Sequence, residues 1–189
     1  YSVRLRIVQA ECLVADGNSA RATELLRAAC KLDPSNLDAF VALGRCLLED
    51  GKPKEAEQPL LAALKLREGY DETHYLLAQV YSQIGPPEKA KHHSDYVRNA
   101  RDALTELDRL NAELATRKTA EALIRAGEIQ LKYDDPRLGV MRILAALDME
   151  PANPQALTLL ADHYARLAKD DASYETLANE FQQRIKATQ

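Results

Sequence analysis

Long apolar runs are missing from this chain of 189 residues: no stretch of eighteen or more apolar residues occurs, so nothing in it reads as a membrane-spanning helix. Cysteine is scarce. Cys12, Cys30 and Cys46 are odd in number and lack C-x-x-C spacing, which argues against a disulfide framework or a zinc site and leaves the compartment open, with a lean toward the cytoplasm. An excess of basic residues is missing too. The 25 Lys and Arg stand against 29 Asp and Glu, a net charge of −4, whereas a nucleic-acid binder would carry a basic patch or stripe. No glycine-rich phosphate loop, nucleophile elbow or zinc-protease helix occurs, so no cofactor, metal or enzymatic activity is expected. Tyr1 is not an initiator, and the chain is expected to be part of a longer one.

What is present suits a folded chain. Hydrophobic residues make up 46%, enough for a core, and the 29% charged residues mix both signs, which speaks against disorder. The length fits one ordinary domain or a short repeat array. Glycine, rare at seven, decides between them: Gly17, Gly51 and Gly85 recur every 34 residues. The same period aligns Ala22 with Ala56 and Ala90, Leu26 with Leu60, and Cys12 with Cys46; Ala10, Gly44 and Ala78 form another column of small residues. Small residues let two helices approach, Leu13, Leu47 and Tyr81 fill the space beside them, and glycine closes a helix where a left-handed residue is needed. Pro34 follows Asp33 at a repeat boundary, and Pro53 and Pro87 suit the opening turns of helices.

On these columns, over residues 3–100, the chain resembles the tetratricopeptide-repeat (TPR) family. It departs from the family in having Arg6, Phe40 and His74 where Trp is frequent, and Glu68 in place of a closing proline. A second block has Gly127, Gly139, Ile143 and Ala146 at family spacing, Glu150-Pro151 closing it, and Leu160, Ala161 and Tyr164 opening the next repeat after Pro154. The resemblance implies an all-α TPR solenoid, a right-handed superhelix of about five helix pairs near 3–36, 37–70, 71–100, 120–153 and 154–187, the last with a second helix from about Asp171 to Ile185. The expected organisation is repeats over 1–100, a helix extension over 101–119 and TPR-like repeats over 120–189. The register slips by about 15 residues before Ala120, roughly 22 Å of helix. Nothing from Glu88 to Thr116 breaks a helix, so one long helix near 88–115 is expected, with Val97, Ala100, Leu104, Leu107 and Leu114 on one stripe and Leu110 beside it. That stripe either packs on the chain's own later helices or forms a homodimer seam in which Asn111 sets the register.

The family resemblance also implies a partner-binding groove lined by the first helix of each repeat. Carried onto this sequence, its positions are Ile7, Glu11 and Val14; Val41, Arg45 and Leu48; and Tyr75, Gln79 and Ser82. Each trio is spaced to share one helix face. The mostly apolar stripe suits a protein or peptide segment with two or three apolar anchors, unless the chain itself covers it. The carboxylate clamp of chaperone-tail relatives is not expected, because its positions hold Ile7, Glu11, Ala42, Glu72 and Leu76. The function expected is therefore a non-catalytic interaction scaffold, with a structural or oligomerisation module, or the recruiting arm of a larger enzyme, as alternatives.

Other candidate chemistry reads as structural. His92 and His93 are adjacent, point apart on a helix and are expected at the surface; His163, in the column of Cys12 and Cys46, is expected to pack inward. The three thiols are expected in the core. Asp134-Asp135 and Asp170-Asp171 are expected to begin helices, and Pro59 to kink one mildly.

Overall fold

The computed structural model describes residues 2–187 and is all-α, with no strand among them. Its helices are α1 (Val3–Ala15), α2 (Ser19–Leu32), α3 (Leu37–Glu49), α4 (Pro53–Leu66), α5 (Asp71–Ile84), α6 (Pro87–Thr116), α7 (Ala120–Tyr133), α8 (Pro136–Met149), α9 (Pro154–Leu167) and α10 (Glu175–Ala187). A 3-10 turn, Ala172–Tyr174, precedes α10, so that helix starts later than the expected Asp171. Asp171 instead caps the turn, its carboxylate accepting from the Ser173 N–H at 2.9 Å. The chain divides into two compact units, one ending at Ala100 and the other beginning at Arg101.

Local chemistry sets the helix limits. Asn36 begins α3 by accepting from the Ala39 N–H at 3.1 Å, and Asn153 begins α9 through the Ala156 N–H at 3.1 Å. Both asparagines end similar turns. The Asp33 carboxylate accepts from the Ser35 N–H and hydroxyl and from the Asn36 amide, which holds it below the usual carboxylate range. Glu150 accepts from the Asn153 amide at 2.8 Å in the same way. Gly17 and Gly51 close α1 and α3 at φ of 75° and 69°, a region that strains residues bearing a Cβ. Gly85 departs from the expectation: its φ of −110° and ψ of 178° are extended, as a residue before Pro86 prefers.

In the first unit each hairpin closes on a small residue. A Cβ at Gly44 would lie 2.4 Å from the Leu60 side chain, so α3 and α4 could not keep this approach with any larger residue. Leu26, Leu47, Leu60 and Leu77 are fully buried around such contacts, each contributing about 1.5–3 kcal/mol. The second unit repeats the device. A Cβ at Gly127 would meet Ile143 at 2.5 Å, and one at Gly139 would meet the Gly127 carbonyl oxygen at 2.8 Å. Pro59 lies buried within α4, which continues on both sides of it.

The long helix is present as α6. Its Leu107 and Leu110 are buried against Ala122, Ala126 and Ile129 of α7, with Leu104 and Leu114 packed alongside. Arg125 of α7 adds paired bonds to Glu106, at 3.0 and 2.8 Å. Asn111 accepts from Arg142 of α8 at 2.6 Å. From Leu104 to Leu114, where α6 lies in the second unit, the expected stripe is thus packed within that unit. Among the described residues, no helix is long and apolar enough to cross a membrane.

Candidate partner-binding groove

In the first unit, α1 lies beside α3 and α3 beside α5, so the first helices of successive hairpins form one surface. Tyr75 on α5 is the prominent side chain there, 54% exposed. Ile7, Val14 and Leu48 are half-buried, each resting against the first unit's core. Val41 is corrected from groove to core: it is only 3% exposed and packs in the apolar cluster, because two hairpins close over α3 from either side. Glu11 is exposed and Gln79 half-buried. The Ser82 hydroxyl is exposed but donates to the Gln79 carbonyl at 2.8 Å, within its own helix.

Arg45 is not a free cation. It pairs with Glu72 of α5, whose other oxygen accepts from the Tyr70 hydroxyl at 3.1 Å. Burial and the neighbouring carboxylates of Glu72, Asp38 and Asp71 push the Tyr70 phenol above its ordinary range. This polar chain ties α3 to α5 along the edge of the apolar stripe. It also occupies one residue of the clamp positions, while Leu76 of that set is buried.

The histidines correct the expectation most. His93 is 7% exposed, not a surface residue, and His74 is buried beside it. The His74 Nε2 lies 2.9 Å from the Glu68 carbonyl oxygen, which can only accept, so Nε2 carries the proton and Nδ1 is left as an acceptor. The Nδ1–H of His93 then donates to that nitrogen at 3.0 Å. His74 stacks on Tyr96 at 3.6 Å and His93 stacks on Tyr81 at 5.6 Å. The Tyr81 hydroxyl donates to Glu57 at 2.9 Å, and burial with that carboxylate pushes its pKa up to about 12. Burial lowers both imidazoles, His93 to about 4, with the His74 ring, His92 and Lys89 adding to the effect. Sequence reasoning missed this pair because His74 and His93 lie on different helices, 19 residues apart.

Cys30 and Cys46 are buried as expected, burial pushing the Cys30 thiol up to about 11, but Cys12 is exposed. His163 is buried, edge-on to Tyr164, and burial lowers its pKa. Among the described residues no group of three or more His, Cys, Asp or Glu could hold a metal ion.

Residues 13–65 match a family model described as tetratricopeptide repeat. No curated protein matches the chain. Among solved structures it is similar to MamA 41-end from Desulfovibrio magneticus RS-1, at 18% identity, covering 96% of this chain and 95% of that one with a TM-score of 0.50. It is similar also to a MamA RS-1 ArsTM double mutant, at 18% identity over 98% of this chain and 93% of that one, again with a TM-score of 0.50. At such identity the likeness is one of fold.

Proposed function

Because the chain is a tetratricopeptide-repeat protein, we propose that it holds a segment of another protein on the shared face of α1, α3 and α5 and catalyses no reaction. One observation carries this reading: Tyr75 stands more than half exposed on a face where Ile7, Val14 and Leu48 are half-buried apolar side chains. An aromatic ring offers large contact area with few rotors to immobilise, which is why such residues anchor interfaces. Ile7, Val14 and Leu48 supply apolar floor without collapsing into the core, and the Arg45–Glu72 pair borders it. A helix with apolar residues on one stripe, or an extended segment with two or three apolar anchors, fits such a surface.

Peptide-display selection against the chain tests the proposal. Selected peptides are expected to share two or three spaced apolar residues and to lose binding to the Tyr75→Glu variant. Peptides that bind wild type and Tyr75→Glu equally would overturn it.

A further inference from the structure

The outward side of α8 breaks a pattern that α2, α4 and α6 keep. At the repeat register Leu138, Met141 and Leu144 of α8 align with Arg21, Glu24 and Arg27 of α2. They align equally with Glu55, Gln58 and Leu61 of α4, and with Lys89, His92 and Asp95 of α6. Leu61 alone is apolar among these, and it is half-buried against the first unit's core. Two of the polar residues serve one another, Arg27 pairing with Glu55 at 2.7 Å. On α8 the same positions are apolar and open: Leu138 is 45% exposed, Met141 65% and Leu144 40%. Ile143, Ala146 and Leu147, on the other side of the helix, are buried with residues of α7 and α9.

Exposure alone names no occupant, but the charges at the two ends of this stripe do. Arg137, Met141, Leu144 and Asp148 are spaced i, i+4, i+7 and i+11, so they form one line about 16 Å long on the helix. Its charges stand at its ends, Arg137 in the first turn and Asp148 in the last, and both are exposed. The Arg137 guanidinium reaches Asp135 only at 3.4 and 3.5 Å, and its side chain is 91% exposed. Turned end for end, the line is its own complement. About a two-fold axis between Met141 and Leu144, Met141 lies opposite the partner's Leu144 and Arg137 opposite the partner's Asp148, each contact occurring twice. A parallel pair would set like charges side by side. We infer that α8 is a self-association surface, on which two copies of this chain join with their α8 helices antiparallel across Leu138, Met141 and Leu144. The stripe is small beside the roughly 1,600 Å² of a standard interface, so the dimer is weak and forms in the micromolar range. It shares no residue with the α1–α3–α5 face and does not rest on the reading of that face.

Sedimentation equilibrium of the full chain at low salt tests the inference. Wild type is expected to dimerise reversibly as its concentration rises, and Met141→Glu to weaken the dimer about tenfold or more. Arg137→Glu and Asp148→Arg each set like charges together at both ends, and each is expected to weaken it roughly fivefold. An equimolar mixture of these two variants again pairs opposite charges at both ends, and is expected to associate as wild type does. That rescue is specific to antiparallel pairing of α8. The substituted side chains are exposed, and circular dichroism melts confirm that every variant is folded. Dimerisation that Met141→Glu leaves unchanged, or a mixture no stronger than its components, would overturn the inference. So would a wild type that stays monomeric to millimolar concentration; binding of that monomer, but not of Met141→Glu, to phosphatidylglycerol vesicles would make a lipid surface the occupant instead.

Discussion

The His74–His93 pair makes a sharp demand on pH. His93 is held near a pKa of about 4 in the folded chain by burial and by the neighbouring His74, His92 and Lys89, against an ordinary 6.5 when unfolded. Its folded pKa is depressed, so its neutral form stabilises the fold fully above about pH 6.5. That stability is lost as pH falls toward 4, because the unfolded chain takes up a proton that the folded chain refuses. Between about pH 7.5 and 5 the loss from this one group is about 2 kcal/mol, approaching about 3 kcal/mol near pH 4. In urea this lowers the unfolding midpoint by roughly 1 M. The perturbation is His93→Gln, which keeps a donor for the His74 Nδ1 and cannot titrate. Urea melts of both proteins at the two pH values form a double difference in which the carboxylates cancel. The variant is expected to lose that much less stability on acidification. A pH dependence identical to wild type would refute the reasoning, and would mean that the pair opens to water or shares its proton.

The remaining expectations concern packing. Gly139→Ala forces a Cβ against the Gly127 carbonyl oxygen and the Leu131 nitrogen, both 2.8 Å away and both backbone, and is expected to destabilise the second unit by about 1–3 kcal/mol in chemical denaturation. A variant as stable as wild type would show that α7 and α8 are not so close. The Thr73 hydroxyl is fully buried without a hydrogen-bond partner, so the nearly isosteric Thr73→Val is expected to be neutral or to stabilise by about 1 kcal/mol; a loss larger than that would reveal a bond the hydroxyl makes.

The fold was legible because its geometry forces spacing into the sequence. Close helix approach needs a small residue opposite a large one, and Gly44 facing Leu60 and Gly127 facing Ile143 leave that requirement visible in one dimension. The long helix was legible for the opposite reason, an absence of breakers from Glu88 to Thr116. Burial was harder. Val41 and Tyr75 share a repeat column, yet one is core and the other open, because helices flank α3 more completely on that face. Cys12 and Cys46 share another, and differ because α2 covers only the second. The histidine pair depends on two helices meeting, which periodicity within either does not encode. Gly85 was misjudged by following its column rather than the proline after it.

The central claim is that the α1–α3–α5 face is a working surface. Its most direct test is a pull-down from source-cell extract with wild type and Tyr75→Glu, both first shown to have the same melting temperature. Tyr75 is more than half exposed, so the substitution should leave the fold intact. A protein retained by wild type and lost by Tyr75→Glu is the result this account requires. Recovery of the same proteins by both would contradict it and place the working surface elsewhere on the chain.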